Sequence, residues 1–196
     1  MKVFDFDKTI YSGDSTLDFY FFCLKRKPTI IRFFPKQVMG YLLHTIRKVT
    51  TEQFKEAFFC FLPALDHPEN IVETFWDKKI ERIKPWYLEQ SHPDDLVISA
   101  SPFFLISPAC RRLKIAEPIA TSMEIATGKI HGANCKGVEK VRRLREQCGS
   151  GKIDTFFSDS LSDSPLADIA QHAFIVKGKT ILQWPKGSGK KGEKDR

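Results

Sequence analysis

The sequence predicts an α/β fold: a doubly wound, mostly parallel sheet into which an all-helical segment is inserted. Three short apolar stretches, ending at Phe6, Ile98 and Phe157, are typical of buried strands. Hydroxyl or carboxylate side chains accompany the carboxyl end of each stretch, and helical periodicity fills residues 15–85 between the first two. Because such sheets bind ligands at the carboxyl ends of their strands, these polar residues are the first candidates for a functional site.

The first strand carries two carboxylates close together. Val3, Phe4 and Phe6 favour a strand, and Asp5 and Asp7 stand two positions apart within it. If the strand continues through Asp7, both carboxylates lie on one face and repel each other unless a cation compensates them. Hard oxygen ligands favour Mg²⁺. For two aspartates taken alone, a strand end followed by a solvated turn is the competing interpretation.

Residues 15–85 predict helices and no strand. Apolar residues recur at helical spacing at Leu17 and Phe21, and again within residues 51–61 and 70–83. Residues 19–46 are both apolar and basic, which allows two interpretations. One is a surface that rests on anionic lipid; the other, which the sequence favours, is an ordinary helical core with a solvated basic rim.

The remainder alternates strands and helices. Leu96, Val97 and Ile98 form the second strand, with Ser99 at its end and a helix over residues 103–113. Residues 119–130 suggest a hairpin that turns at Thr127 and Gly128. The later elements are a helix after Lys136, a strand over residues 153–157, a loop with Asp159 and Asp163, and two short strands over residues 172–176 and 180–184.

Four of these motifs, in this order, resemble the haloacid dehalogenase (HAD) superfamily. Asp5-Phe6-Asp7-Lys8-Thr9 resembles its first motif, and Ser99 its second. Lys136, before Gly137, resembles the third, and Ser158-Asp159-Ser160-Leu161-Ser162-Asp163 resembles a variant of the fourth. The resemblance is to the phosphoserine-phosphatase-like branch, whose core carries a helical cap. It implies a catalytic core over residues 1–14 and 86–185, a cap over residues 15–85 and a disordered basic tail over residues 186–196.

The resemblance also implies roles for individual residues. Asp5 would be the nucleophile, Asp7 the general acid and base, and Ser99 and Lys136 would hold the phosphoryl oxygens. Lys136 would also balance the negative charge of Asp5 and of the phosphoryl group. Mg²⁺ would be bound by Asp5, the backbone carbonyl of Asp7 and Asp159. Asp163 would bind the metal directly or orient metal-bound water and Lys136. Lys140, inside the following helix, is expected to be solvated.

Four further residues are predicted to touch the substrate: Thr9, Asp14, Ala100 and Ser101. The chain has Ser99-Ala100-Ser101 where phosphoserine phosphatases usually have Ser-Gly-Gly. Asp14 stands where they usually have Glu, and a helix N-cap is an equally good interpretation of this position.

The function implied is Mg²⁺-dependent hydrolysis of the phosphomonoester of a small metabolite through an aspartyl-phosphate. An alternative is a lipid-phosphate phosphatase at an anionic membrane surface, because the phosphatidylglycerophosphate phosphatases of this branch look similar. A non-catalytic nucleic-acid binder is a remote third, and no specific nucleic acid is expected. The sequence leaves the substrate and the oligomeric state open.

Composition fits one substantial core, or a core with a small accessory domain. The chain has 196 residues, 42% of them hydrophobic, and a net charge of +7. Its five cysteines form no CxxC pair, which favours reduced thiols, and its five histidines have no metal-ligand spacing. Met1 and Lys2 lead directly into the first strand, so no signal peptide is expected. With no run of 18 apolar residues, we expect a cytoplasmic protein, with contact at the inner membrane face as the alternative.

Overall fold

The sheet has six strands among the residues that the structure, a computed structural model, describes: 1–149 and 152–185. The strands are β1 (Lys2–Phe4), β2 (Leu96–Pro102), β3 (Ile119–Thr121), β4 (Ile153–Ser158), β5 (Ala170–Lys177) and β6 (Thr180–Gln183). Their order across the sheet is β3-β2-β1-β4-β5-β6. All neighbours pair in parallel except β5 and β6, which are antiparallel.

Helices cover both faces of this sheet. The α-helices are α1 (Ser15–Arg26), α2 (Phe34–Thr45), α3 (Thr51–Phe58), α4 (Pro68–Lys79), α5 (Pro85–Leu88), α6 (Phe103–Leu113), α7 (Val138–Cys148) and α8 (Ser164–Ala167). Short 3₁₀ turns occupy Pro28–Phe33, Leu62–Ala64, Ile80–Arg82 and Leu161–Asp163. The predicted doubly wound, mostly parallel α/β fold with inserted helices is therefore confirmed.

Alternating side chains of the central strands enter two separate cores. Val3 joins the cluster that also holds Leu144 and Leu166, from α7 and α8, whereas Phe4 joins the cluster on the opposite face. Adjacent residues of a strand point to opposite faces of the sheet, so a continuous apolar run buries side chains in both cores. The order of the strands reverses at β1, which places the carboxyl ends of β1, β2 and β4 around one crevice.

The first strand is shorter than a strand through Asp7 would be. β1 ends at Phe4, and Asp7 forms only an isolated bridge with Tyr11. The chain turns here because the Phe6 carbonyl accepts the backbone N–H groups of Ile10 and Tyr11, both at 3.0 Å. The two carboxylates are thus presented by a tight loop, and strand alternation does not set their directions.

Part of the helical segment, residues 15–85, packs into the same hydrophobic core as the sheet. Phe75 and Trp76 of α4 are fully buried in the same cluster as Phe4 and Phe6. The indole of Trp76 meets the Phe6 ring edge-on at 5.7 Å. The helix α2, by contrast, contributes no buried side chain to that cluster. A boundary of the cap at residues 15 and 85 stays a prediction.

Helix α2 has its polarity reversed. The residues it buries are Gln37 and Gly40, and the amide of Gln37 donates to the Phe58 carbonyl at 2.8 Å. Five of its six large apolar side chains are exposed, with Tyr41 at 58% exposure. The favoured interpretation of residues 19–46 as an ordinary core with a basic rim is therefore wrong for this helix. Among the described residues, no helix combines the length and apolar character needed to cross a membrane.

Two smaller predictions also have outcomes. The hairpin expected over residues 119–130 is present only in part: β3 is the parallel edge strand of the sheet, and a single antiparallel bridge joins Met123 to Ile130. Between them the chain turns at Gly128, whose φ is +73°. The tail predicted to be disordered, residues 186–196, lies outside the described residues.

Replacing Gly40 by alanine should destabilise the protein although alanine favours helices by about 1 kcal/mol. A Cβ at Gly40 would lie 2.6 Å from the Cβ of Ala57 in α3, and such overpacking costs about 1–3 kcal/mol. Urea unfolding should show a lower free energy of unfolding for Gly40→Ala. In an Ala57→Gly background the same change should become neutral or stabilising. A stabilised single variant would contradict this packing.

Candidate active site

Five acidic side chains line a cavity of about 370 Å³ at the carboxyl ends of β1, β2 and β4: Asp5, Asp7, Asp14, Asp159 and Asp163. Asp5 and Asp7 follow β1, Ser99 ends the apolar part of β2, and Asp159 and Asp163 follow β4. The structure thus brings together the residues that the four motifs predicted. The inserted helices contribute one wall of the cavity, formed by His44, Thr51, Phe54 and Lys55.

The cation in contact with Asp5 is Lys140. Its side chain is almost fully buried, at 1% exposure for the residue. The ammonium donates to Oδ1 of Asp5 and Oδ2 of Asp163, both at 2.7 Å. Burial alone would lower the pKa of Lys140, but the two carboxylates outweigh it and raise that pKa. The lysine therefore stays charged and holds both acids.

Two predictions about lysines are corrected by this arrangement. Lys140 is not solvated, and it is Lys140, not Lys136, that balances the charge of Asp5. Lys136 is exposed and lines the cavity, so a role in holding phosphoryl oxygens stays a prediction for it. The sequence did contain a signal, since Lys140 stands four residues before the buried Leu144 and thus on the same helical face.

Thr9 supports the site from below. It is fully buried, and its hydroxyl donates to Oδ2 of Asp5 at 3.3 Å. The hydroxyl oxygen of Thr9 also accepts the backbone N–H of Asp159 at 2.9 Å. The prediction that Thr9 contacts the substrate is therefore wrong, because its side chain has no surface open to the cavity. It is a positioning residue that fixes the two acidic loops to each other.

Asp7 is held by two donors from different elements. Its Oδ1 accepts the backbone N–H of Ser15 at 2.6 Å, and its Oδ2 accepts the hydroxyl of Ser101. Burial raises the pKa of Asp7 to about 6, and the nearby charge of Asp14 adds to the shift. Burial likewise raises the pKa of Asp5 to about 7, although Lys140 acts in the opposite direction. Both carboxylates thus stand in a site that disfavours uncompensated negative charge.

Two serines of the motifs, Ser158 and Ser99, have specific contacts. The hydroxyl of Ser158 donates to Oδ2 of Asp163 at 2.8 Å, so Asp163 is held from two sides. The Ser99 hydroxyl accepts the backbone N–H of Ser101 at 3.1 Å, which fixes the turn after the strand. Asp14 caps α1 by accepting the N–H of Leu17 at 3.0 Å, as the alternative interpretation expected.

Asp14, Ala100 and Ser101 all line the cavity. A contact between the substrate and Asp14, Ala100 or Ser101 stays a prediction. Ser101 has a contact of its own with Asp7, which is now the clearest reason for a hydroxyl at this position.

The carboxylate oxygens at the site fit a Mg²⁺ ion whose coordination is completed by water and substrate oxygens. Within the described residues, no three acidic, histidine or cysteine side chains are grouped closely enough to form a metal cage. Mg²⁺ in phosphate sites, however, is usually held by one or two carboxylates together with waters and substrate oxygens. Asp5 and Asp159 both reach the cavity, and burial raises the pKa of Asp159. Asp163 uses its Oδ2 on Lys140 and Ser158, which favours an orienting role for it.

A second lysine at the site comes from the inserted helices. The ammonium of Lys55, on α3, donates to the carbonyl of Ala100 and to Oδ1 of Asn134, both at 2.6 Å. Burial lowers the pKa of Lys55 to about 8, and the charge of Lys136 adds to this effect. Sequence reasoning missed Lys55, because nothing in its local pattern distinguishes it from the solvated lysines of an amphipathic helix.

A larger cavity of about 850 Å³ lies on the other side of the loop that follows β1. It shares Lys8 and Asp159 with the smaller cavity, and Lys84 and Lys177 add basic charge to its wall. Of these two cavities, the smaller one is lined by Asp5, Asp7 and Lys140, and the larger one by none of them. Because the reactive groups converge there, the smaller cavity is the candidate active site.

Replacing Lys140 by methionine should lower the free energy of unfolding by about 3–5 kcal/mol at pH 8, because two buried carboxylates lose their partner. The control is Lys136→Met, which removes an exposed lysine two residues before α7 begins. It should change the free energy of unfolding by less than about 0.5 kcal/mol. Urea unfolding of the two variants measures both effects. Equal, small losses would show that Lys140 does not hold the acids together.

Comparisons with known proteins agree with this geometry. The model of the family described as haloacid dehalogenase-like hydrolase matches residues 3–168. A probable phosphatase of Mycobacterium tuberculosis is 29% identical over 106 residues, which are 47% of this chain and 37% of that protein. The match thus spans little more than a third of the length of this relative.

Solved structures share the fold. A protein of unknown function from Bordetella pertussis has a TM-score of 0.72 at 21% identity, with 88% of this chain and 87% of that chain covered. A phosphoserine phosphohydrolase-like protein from Francisella tularensis has a TM-score of 0.55 at 15% identity, covering 88% and 86%. A substrate-bound phosphoserine phosphatase has a TM-score of 0.54 at 16% identity, covering 87% and 82%. Together with the match over residues 3–168, the four ordered motifs show that this chain belongs to the haloacid dehalogenase-like hydrolase family.

Proposed function

We propose that this protein hydrolyses phosphomonoesters and that Asp5 is transiently phosphorylated. The observation that carries the proposal is the Asp5 carboxylate, which is held by the buried Lys140 at a polar cavity with Asp7 two residues further along. A carboxylate nucleophile needs a neighbouring cation, because the phosphate that it attacks is itself negatively charged. Lys140 supplies part of that charge.

In the first step, a carboxylate oxygen of Asp5 attacks phosphorus and the bond from phosphorus to the ester oxygen breaks. Asp7 donates its proton to the departing alkoxide. The contacts from Ser15 and Ser101 fix the direction in which Asp7 presents its carboxyl group. The products of this step are the free alcohol and a phosphorylated Asp5.

In the second step, water attacks the phosphorus of the acyl phosphate. The carboxylate of Asp7 accepts a proton from that water, and the bond from phosphorus to the Asp5 oxygen breaks. Inorganic phosphate leaves and Asp5 is regenerated, while Asp7 again carries the proton that the next cycle needs. The position of Lys136 at the cavity suits contact with phosphoryl oxygens, and the Ser99 hydroxyl lies at the same wall.

Mg²⁺, bound by Asp5, Asp159 and the backbone carbonyl of Asp7, would neutralise phosphate charge during both steps. Thr9 matters to this arrangement because it ties the Asp5 and Asp159 segments together. Lys140 and Asp163 keep the Asp5 carboxylate in place.

The walls of the cavity favour a substrate with a second anionic or strongly polar group. Lys55 and Lys136 line one side, and the Lys55 ammonium has one N–H left after its bonds to Ala100 and Asn134. A small phosphorylated metabolite fits a volume of about 370 Å³. The exposed apolar side of α2 favours a second candidate, a phosphate ester carried on a lipid. Nothing described in the site favours a nucleic-acid binder.

Turnover of a panel of phosphorylated metabolites and phospholipids would distinguish the first two candidates. Release of inorganic phosphate from soluble metabolites alone would support the first. Release from lipid phosphate monoesters alone, in vesicles, would support the second.

Asp7→Asn should separate the two half-reactions. With an aryl phosphate, whose leaving group needs no acid, this variant should take up one phosphate slowly and then retain it, because no base activates water. Intact-protein mass after a short incubation with Mg²⁺ measures the adduct. Asp5→Asn should show no adduct, and EDTA should prevent uptake by the Asp7 variant. Normal turnover of aryl and alkyl phosphates by Asp7→Asn would refute the role of Asp7.

Lys55→Met should raise the KM for an anionic substrate by about tenfold and change kcat by less than about threefold, because Lys55 acts on binding in both the ground and transition states. Lys129→Met is the matched control, since Lys129 is an exposed lysine paired with Glu56 of the same helix. Steady-state kinetics measures both values. A lower kcat at unchanged KM would instead show that Lys55 acts only in the transition state.

A further inference from the structure

The exposed apolar side chains of the described residues are concentrated in one segment. Nine of the fourteen large hydrophobic residues that the structure exposes fall within residues 17–46. Phe21 is 61% exposed and Ile46 59%. Monomeric soluble proteins rarely gather so much exposed apolar surface without a partner. We call this set the α1–α2 face; it consists of Leu17, Phe21, Ile31, Phe34, Val38, Met39, Tyr41, Leu42 and Ile46.

The face follows helical geometry on both helices. Leu17 and Phe21 are four residues apart on α1. On α2, Phe34, Val38 and Tyr41 follow the spacing of one helical stripe. The opposite side of α2 is already filled, because Gly40 lies against Ala57 of α3. The helix therefore buries a glycine against the protein and exposes most of its large apolar side chains. A helix that packs against a core has the opposite arrangement.

The charges around the face have one sign. Residues 19–51 contain no aspartate or glutamate and seven lysines and arginines. Lys25, Arg26, Arg32 and Lys36 are exposed within this stretch. Two of the arginines lie over exposed or half-buried rings, with Arg26 4.8 Å from the Phe22 centroid and Arg32 4.9 Å from that of Phe33. Apolar and basic side chains are thus interleaved.

The mixture of apolar and basic side chains indicates which partner would cover the α1–α2 face. A second copy of the chain, related by a two-fold axis, would bring the same basic residues against each other, which opposes pairing. An anionic bilayer offers negative headgroups to the basic side chains and acyl chains to the apolar ones at the same depth. We infer that the α1–α2 face docks on the surface of membranes that contain anionic lipids, with α2 lying along the surface.

Docking of this kind needs no catalysis, so it can be tested apart from the proposed function. Full-length protein would be sedimented with vesicles of phosphatidylcholine alone or mixed with phosphatidylglycerol. Binding should occur with the mixed vesicles and weaken steeply with added salt, because the Debye screening length shortens. An Asp5→Asn protein should bind as well as wild type even if no phosphatase activity is found.

Two variants test the face itself. Phe34→Gln combined with Leu42→Gln changes only exposed side chains, and should weaken binding to mixed vesicles by about tenfold or more. Arg32→Gln combined with Lys36→Gln should weaken it to a similar degree by removing charge. Leu182→Gln is the matched control, because Leu182 is an exposed apolar residue on β6, outside the face.

The inference is overturned if wild-type protein stays in solution with mixed vesicles at low salt, or if the Phe34 and Leu42 variant sediments like wild type. It is also overturned if analytical ultracentrifugation shows a dimer that the same double variant dissolves, since the face would then belong to a second copy.

Discussion

The contact on which the site depends is the ammonium of Lys140 between Asp5 and Asp163. Three segments that are distant in sequence meet there: the end of β1, helix α7 and the loop after β4. Each carboxylate is buried, and burial of a lone charge is expensive, so the ammonium group and the two carboxyl groups compensate one another in a place that water hardly reaches. Thr9 and Ser158 add hydrogen bonds from neutral hydroxyl groups, which fix the orientation of the Asp5 and Asp163 carboxyl groups.

Much of this arrangement could be predicted from sequence, for a physical reason. Strands buried on both faces require uninterrupted apolar runs, and polar side chains at their ends stand out against such runs. Asp5, Ser99 and Asp159 were found in this way, and the structure places them around one crevice. The sequence does not give the strand order. The structure shows that the crevice lies where the order of the strands reverses, between β1 and β4.

The errors concern side chains whose surroundings are set by tertiary packing. Lys136 and Lys140 are one helical turn apart, and the direction in which α7 enters decides which of them faces inward. That direction is set at Gly137, where φ is +57°, a conformation that a sequence pattern does not reveal. Thr9 and Lys55 were misjudged or missed because a hydroxyl or ammonium is equally at home in solvent. Helix α2 misled because helical periodicity shows that a stripe exists, not which side of it the protein covers.

The close approach of α2 and α3 at Gly40 has a mechanical consequence. At Gly40 and Ala57 the two helices approach almost backbone to backbone, and beside that point the rings of Tyr41 and His44 lie against Phe54 of α3. Interiors packed this closely transmit a displacement of one helix to the next. One side of this helix pair is the exposed apolar surface of α2, and the other side carries Lys55 into the candidate active site. Pressure on the outer surface of α2 would therefore reach the candidate active site by two routes, through Lys55 of α3 and through His44 of α2 itself.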